Sequence, residues 1–221
     1  MNQHGAGGGR LLLRQYFEIG ARFVIPIAII GIGCRFPGAS GPGAFWKLLS
    51  TGADAVREVP ADRWDARAFF SSDPNEPGKT VSRWGGFVDD LDQFDFEFFG
   101  ISSREAPYLD PQQRLILEVT WEAFEDAGLV LDKLAGSKTG VFVGLAPGDY
   151  GRLLMSKPEA ISPYTNTGNL LSIAANRISY LFDLRGRASR SRPPVRLLLW
   201  PSTWPARVSN AARAPLRSQE A

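Results

Sequence analysis

Residues 110–128 read DPQQRLILEVTWEAFEDAG, which is the clearest helical pattern in the chain. Asp110 is a favourable N-cap, and Pro111 suits the first helical position because an N–H there would have no helical partner. Gly128 favours termination of the helix. The pattern predicts one buried face, made up of Ile116, Val119, Ala123 and Ala127, with Phe124 beside them.

Two apolar runs on either side of this helix are typical of β-strands buried on both faces. They are residues 27–30 (IAII), ended by Gly31, and residues 139–144 (TGVFVG). Buried strands that alternate with helices favour an α/β fold. Residues 69–99 are rich in Gly, Asp and Phe and predict a long ordered loop with aromatic anchors. A second helix is predicted over residues 169–182, with a stripe of Leu170, Ala174, Ile178 and Leu181.

The composition indicates a folded chain with very few catalytic side chains. The 221 residues are 44% hydrophobic and 22% charged, which is enough apolar content to bury a core in one large domain or two small ones. Cys34 is the single cysteine and His4 the single histidine. Intramolecular disulfides, cysteine-based zinc sites and a serine–histidine–aspartate triad within the folded chain are therefore excluded.

The formal net charge of +2 hides an uneven distribution. Residues 187–221 contain seven arginines, no lysine and one acid, so this tail carries +6 and the rest of the chain −4. The arginines are dispersed around Pro193-Pro194, and the sequence predicts no helix or strand to aim them. We therefore interpret the tail as basic but not as a nucleic-acid-binding segment.

No segment has the pattern of a membrane span or of a signal peptide. The most apolar run, residues 23–34, has 12 residues and includes Pro26, whereas a spanning helix needs about 20. No small-residue cleavage site follows it. The sequence predicts a cytoplasmic location without membrane contact.

Two glycine motifs fail as nucleotide-binding loops. Gly31-Ile32-Gly33 has Phe36 where a dinucleotide-binding fingerprint needs glycine, so we interpret it as a tight turn at a strand exit. Gly78-Lys79-Thr80 has Asp73 where a phosphate-binding loop needs its first glycine.

Cys34 and an acidic stretch are also interpreted as structural. Cys34 follows the first predicted strand and has no histidine near it in sequence, which favours a small packed side chain over a nucleophile. The alternative for the acidic stretch is a cation site, but a solvated loop whose aspartates serve turns and caps is favoured; its acids are Asp89, Asp90, Asp92, Asp95 and Glu97.

The motifs of residues 25–186 together resemble the N-terminal part of the β-ketoacyl synthase (ketosynthase) domain of modular type I polyketide synthases. The resemblance covers about 160 residues in the family's order and spacing. The matching segments are residues 26–38 (PIAIIGIGCRFPG), 77–80 (PGKT), 83–87 (RWGGF), 98–102 (FFGIS), 110–115 (DPQQRL), 121–128 (WEAFEDAG), 175–180 (ANRISY) and 184–186 (LRG).

The resemblance implies a thiolase-like fold, layered α/β/α/β/α and here incomplete, in a homodimer. It also implies decarboxylative condensation of acyl thioesters with malonyl-type extender units on a phosphopantetheine-bearing acyl carrier protein, and no directly bound cofactor. The family's catalytic cysteine and two histidines lie downstream of the segment that matches Leu184-Arg185-Gly186. Cys34 and His4 do not match those positions, so we assign no catalytic, cofactor-binding or metal-binding residue.

The tail departs from the family where its nucleophile is expected, in a segment that reads TACSSSLVAVHLAC. G/C-rich codons for VAVHLAC, read one nucleotide late, encode WPSTWPA, which is residues 200–206. In the same way, codons for TAC encode Pro193, Pro194 and Val195. We therefore hypothesise a one-nucleotide frameshift near Gly186. The predicted organisation is an N-terminal extension or linker (1–24), a ketosynthase N-terminal region (25–186) and a non-homologous tail (187–221).

These observations leave three hypotheses for the function. The chain is a ketosynthase fragment that is inactive alone, a non-catalytic module that binds a carrier protein or pairs with an intact ketosynthase, or a translation product without a role. We also expect poor solubility, because strand edges and apolar faces that the rest of the domain normally covers become exposed.

Overall fold

The computed structural model describes residues 18–19, 22–23, 27–146, 148–191 and 196–201. The chain divides into two units, Met1–Ile30 and Gly31–Ala221. In the first unit, the short strands β1 (Glu18–Ile19) and β2 (Arg22–Phe23) form an antiparallel pair. The predicted linker is otherwise outside the described residues.

The second unit begins with short elements that are joined by long irregular segments. These are α1 (Pro42–Thr51), β3 (Val56–Glu58), α2 (Ala66–Phe69), β4 (Trp84–Gly86) and a 3₁₀ turn (Ala106–Tyr108). Strands β3 and β4 form an antiparallel ribbon. The long loop predicted over residues 69–99 is therefore confirmed in the main, although it contains β4. Its anchor Phe99 is buried and stacks on Phe94, whereas Phe69 and Trp84 are exposed.

The rest of this unit is a small α/β core. Its elements are α3 (Pro111–Asp126), α4 (Leu131–Leu134), β5 (Thr139–Gly144), α5 (Tyr150–Met155), a 3₁₀ turn (Pro158–Ala160), α6 (Pro163–Asn169), α7 (Ile173–Leu181), β6 (Ala188–Ser191) and β7 (Arg196–Pro201). The sheet order is β6-β5-β7, with β6 parallel and β7 antiparallel to β5. The core cluster contains Phe99, Ile101, Leu109, Ile116, Leu117, Phe124, Val141, Val143, Leu145, Ala174, Ala175, Ile178, Phe182 and Leu184.

Helix α3 and strand β5 confirm the predictions made from their sequences. The Asp110 side chain caps α3, Pro111 is its first residue, and Gly128 adopts a φ of 63° just beyond it. The face that is buried most deeply differs in part from the predicted one, since it contains Gln113, Leu117 and Thr120 together with Ile116 and Phe124. The predicted residues Val119, Ala123 and Ala127 are half-buried.

The prediction of a buried strand over residues 27–30 is wrong. These residues form no strand, and Ile29 is 80% exposed. A strand forms only where a neighbour accepts and donates its backbone hydrogen bonds. Strand β5 has both edges occupied, by β6 and by β7.

The interpretation of Gly31-Ile32-Gly33 as a tight turn is also wrong. The segment is extended, and Ile32 N–H donates to the carboxylate of Asp126 at 2.8 Å. A Cβ atom on Gly31 would lie 2.1 Å from the carbonyl oxygen of Ala123, and one on Gly33 would lie 2.1 Å from that of Val119. The two glycines therefore permit close backbone approach to α3.

The single helix predicted over residues 169–182 is two helices in the structure. Asn169 ends α6, and Leu170 is extended (φ −70°, ψ 111°) and half-exposed before α7 begins. The carbonyl of Gly168 accepts bonds from Asp110 N–H at 3.0 Å and from the Gln113 side chain at 2.9 Å. These tertiary bonds stabilise the break between the helices.

The tail contains strands that the sequence did not predict. Strand β6 pairs through Val141↔Ala188 to Gly144↔Ser191, and β7 pairs through Thr139↔Pro201 to Gly144↔Arg196. Because β5 is buried, its backbone N–H and C=O groups need partners on both edges. Non-local pairing with β5 therefore overrides the weak strand pattern of residues 188–201.

Candidate functional site

A network of polar side chains surrounds the N-terminus of α3. Asp110 is buried, and its carboxylate accepts the backbone N–H of Gln112 at 2.8 Å. Burial raises the pKa of Asp110, while the bonds from Gln112 act in the opposite direction. Gly148 lies against this carboxylate, because a Cβ atom there would be 2.2 Å from Asp110 Oδ2.

Gln113 and Arg177 connect α3 to α7. Gln113 is 2% exposed, and its Oε1 accepts a bond from Arg177 Nε at 3.3 Å. Arg177 Nη1 also pairs with Glu105 Oε1 at 2.8 Å, and both side chains are largely buried. Charge-assisted bonds in partly buried surroundings are stronger than surface ion pairs. The pair therefore fixes α7 against the segment that precedes α3.

Arg114 and Asn169 complete the network. Arg114 Nε donates to the carbonyl of Leu109 at 2.8 Å, and its guanidinium lies 5.6 Å from the centre of the Tyr150 ring. The Tyr150 hydroxyl donates to the carbonyl of Pro107. Asn169 Nδ2 donates to the carbonyl of Tyr108 at 3.0 Å. The network contacts backbone carbonyls more than side chains, so it positions chain segments and provides no catalytic group.

Helix α7 leads through Gly186 into β6, the strand that precedes the tail. Gly186 N–H donates to Thr139 O at 3.1 Å, and a Cβ atom on Gly186 would lie 2.4 Å from the Thr139 carbonyl group. Val141 N–H donates to Arg187 O at 2.8 Å and continues the pairing into β6. Val195, where the resemblance locates the nucleophile, lies outside the described residues.

Cys34 has the environment of a protonated, unactivated thiol. It is half-buried, and burial raises its pKa; neighbouring Arg35 lowers the pKa and Glu122 raises it further. Arg35 directs its guanidinium to Glu122, with Nη1 at 2.6 Å from Oε2 and Nη2 bonded to Oε1. A nucleophilic cysteine needs a lowered pKa. The geometry therefore supports the structural interpretation of Cys34, while His4 lies outside the described residues.

A shallow depression of about 260 Å³ lies beside the ion pair between Arg35 and Glu122. Burial raises the pKa of Glu118 at its edge, and the nearby charge of Arg35 opposes that shift. The residues that line it are Arg35, Asp95, Phe98, Phe99, Glu118, Trp121 and Glu122. Across the described ranges, no group of three or more His, Cys, Asp or Glu side chains is placed to hold a metal ion.

The acidic stretch and the Gly78-Lys79-Thr80 motif make local structural contacts. Asp95 accepts the N–H of Phe98 at 3.1 Å, as expected for a cap, and Asp89 pairs with Arg57. Lys79 Nζ donates to the carbonyl of Ala68 at 2.7 Å. These contacts agree with a solvated loop and with a lysine that stabilises a turn.

Sequence reasoning missed the roles of Gln113 and Arg177. The signal was present, since Gln113 lies on the same face of α3 as Leu117, Thr120 and Phe124, where an apolar residue is expected. A polar residue at such a position requires a buried partner. The identity of that partner depends on the tertiary structure. In the described ranges, no helix is both long enough and apolar enough to cross a membrane.

Residues 25–190 match the family model described as "Beta-ketoacyl synthase, N-terminal domain". The chain is 49% identical over 182 residues to one of the proteins that make up the phenolphthiocerol/phthiocerol polyketide synthase of Mycobacterium tuberculosis, which aligns 81% of this chain and 12% of that protein. It is also 49% identical over 166 residues to phthioceranic/hydroxyphthioceranic acid synthase of Mycobacterium bovis, which aligns 75% and 8%. The chain thus spans about a tenth of the length of these relatives.

Solved structures of ketosynthase domains have the same fold. The oxazolomycin ketosynthase domain OzmH KS7 from Streptomyces albus superimposes with a TM-score of 0.66 at 38% identity, over 74% of this chain and 28% of that one. The ketosynthase from module 6 of the bacillaene synthase of Bacillus subtilis gives 0.62 at 34%, over 75% and 26%. The architecture is therefore part of a thiolase-like α/β fold. The chain belongs to the β-ketoacyl synthase family and contains the N-terminal domain of a polyketide synthase ketosynthase.

Proposed function

We propose that this chain is the leading part of a condensing domain and does not itself form an acyl-enzyme. In the complete reaction, a cysteine thiolate attacks the acyl thioester of a phosphopantetheine-bearing carrier protein, and the carrier thiol leaves. A malonyl-type extender then loses CO2, and the resulting enolate attacks the enzyme-bound acyl group. The network of Gln113 and Arg177 supports the scaffolding part of this proposal, because it fixes the helix that leads to β6.

The environment of Cys34 carries the proposal of inactivity. It is the single thiol of the 221 residues, it is half-buried, and burial raises its pKa. Acyl transfer to cysteine requires the thiolate and donors aimed at the developing oxyanion. Decarboxylation in this family also uses two histidines, whereas the chain has only His4.

We further propose that residues 187–221 arise from a one-nucleotide frameshift near Gly186, after an extension at 1–24 and a ketosynthase region at 25–186. The tail sequence supports this, because Pro193-Pro194-Val195 and residues 200–206 both correspond to the family segment read one nucleotide late. The nucleotide sequence tests the proposal. Restoring the frame should produce a Cys-Ser-Ser run at about this position, and any other run contradicts it.

An acyl-transfer assay tests the proposed inactivity. The full chain is incubated at pH 7 with a short-chain acyl N-acetylcysteamine thioester, and intact mass is measured beside the variant Cys34→Ala. We expect no stoichiometric acyl adduct on either protein. An adduct that Cys34→Ala lacks, and that a malonyl thioester releases as a longer β-ketoacyl product, contradicts the proposal.

A second candidate is a non-catalytic module that binds an acyl carrier protein or pairs with an intact ketosynthase. Exposed apolar side chains around α5 and α6 favour it, namely Leu153, Met155, Ile161, Tyr164 and Leu170. Calorimetric titration with a holo-acyl carrier protein and with an intact ketosynthase tests it. Binding that Leu153→Asp abolishes supports this candidate, and no heat with either partner rejects it.

A further inference from the structure

The segment of residues 27–30 has exposed apolar side chains and unpaired backbone groups. The exposed fractions are 51% for Ile27, 80% for Ile29 and 65% for Ile30. The segment is extended but belongs to no strand, and within the described residues no ladder or isolated bridge includes it. Exposed β-branched residues with free backbone N–H and C=O groups form a template for strand addition.

The β6-β5-β7 sheet has a complementary open edge. In the described part of the chain, β6 pairs with β5 on one side only, so its outer edge presents unpaired backbone groups. Strand β6 has four residues and no proline, whereas β7 includes Pro201, which has no N–H to donate. The edge of β6 is therefore the better acceptor, and its length equals that of residues 27–30.

We propose that this chain self-associates by strand addition, with residues 27–30 of one copy pairing with the outer edge of β6 in a second copy. The donor and acceptor are different surfaces, so the contact is heterologous, and it extends into open assemblies unless two copies exchange segments reciprocally. Main-chain hydrogen bonds supply the affinity, as in other cases of β-strand addition. This inference goes beyond the proposed function and does not depend on it.

The size of the contact sets its expected strength. Specific stable interfaces bury about 1,200–2,000 Å², and pairing of two four-residue segments covers far less. The association is therefore weak and depends on protein concentration. Over the range from about 1 to about 100 μM, where exposed strand edges drive association, the monomer fraction falls.

Sedimentation velocity on the full chain tests the proposal, with Ile29→Lys as the disrupting variant and Ile161→Lys as the matched control. Both isoleucines are exposed, but Ile161 lies outside the proposed contact. A charge on an edge strand opposes pairing, so Ile29→Lys should raise the dissociation constant by about tenfold or more. Ile161→Lys should behave like the unsubstituted chain.

Hydrogen exchange on the unsubstituted chain gives a second test that does not rely on any variant folding. Protection of amides in residues 27–30 and in 188–191 should rise together as concentration increases. A monomer at every concentration overturns the proposal, as does equal association of Ile29→Lys and the unsubstituted chain. Protection that rises in one segment without the other also overturns it.

Discussion

At the scale of single residues, Gly31 and Gly33 determine how closely the first segment of the core approaches α3. Both would place a Cβ atom 2.1 Å from a carbonyl oxygen of α3. The obstacle is helix backbone, which cannot move as a flexible side chain can. The ion pair between Arg35 and Glu122 follows directly and fixes the same segment to the same helix. The two features together set the register of this segment on α3.

Substitution of Gly33 by alanine should therefore destabilise the fold. Overpacking of this kind costs about 1–3 kcal/mol, and urea denaturation monitored by tryptophan fluorescence measures it. Gly43→Ala in α1 is the control, because nothing lies within 4 Å of its added methyl group. Equal stability of the two variants contradicts the proposed close approach.

Glu118 should make the stability of the fold depend on pH. Burial raises its pKa above the ordinary 4.5, so above the raised pKa the native state bears the cost of a partly desolvated charge. As pH falls through the raised pKa toward 4.5, the native state takes up the proton first and gains stability. Glu118→Gln should therefore be more stable than the unsubstituted chain at pH 7, and this difference should shrink across that window.

Denaturation at several pH values checks this expectation for Glu118. Glu125→Gln on the exposed side of the same helix is the control, and its effect should not change across the window. A difference between Glu118→Gln and the unsubstituted chain that stays constant with pH contradicts the assignment.

At the scale of elements, the break between α6 and α7 decides which residues enter the core. Ile178 is fully buried, whereas Leu170, on the same predicted stripe, is half-exposed. The break also places Gly168 against Tyr108, where a Cβ atom would lie 2.2 Å from the carbonyl oxygen. The turn between the helices thus packs on the segment before α3.

Alanine substitutions at the two stripe positions should give very different effects. Ile178→Ala leaves a cavity and should cost about 2–5 kcal/mol of unfolding free energy, whereas Leu170→Ala should stay within about 0.5 kcal/mol. Chemical denaturation of both variants measures the difference. Similar costs at both positions contradict the break and favour one continuous helix.

At the scale of the whole molecule, the tail takes part in the central sheet. The family match ends at residue 190, within β6, and β7 lies entirely beyond it. Strand β7 nevertheless pairs with β5 along six residues. The sheet of this chain therefore includes backbone from outside the family match.

Proline scanning of β7 tests its place in the sheet. Successive N–H groups of a strand point to opposite sides, so one of Leu197→Pro and Leu198→Pro removes a bond to β5 and the other removes none. The first should lower the unfolding free energy by about 1–3 kcal/mol, and the second should cost less. Two variants that both unfold like the unsubstituted chain show that β7 adds no stability.

The sequence by itself determined the features that depend on local patterns. The caps and apolar period of α3, the apolar run of β5 and the order of the family motifs were sufficient for the helix, the strand and the family. Such signals lie within about four residues of the groups that they affect, so they can be recognised without a structure. The absence of a matching nucleophile or histidine pair in the 221 residues is equally a property of the sequence.

The tertiary structure alone decided which segments pair and which polar groups meet. The apolar residues 27–30 remain outside the sheet while the arginine-rich tail supplies β6 and β7, because a strand depends on partners that are distant in sequence. The bond from Arg177 to Gln113 joins residues 64 positions apart. The glycines at 31 and 33 face a helix that begins some 80 residues later. Local pattern shows that such residues need a partner, and only the packed chain specifies which one.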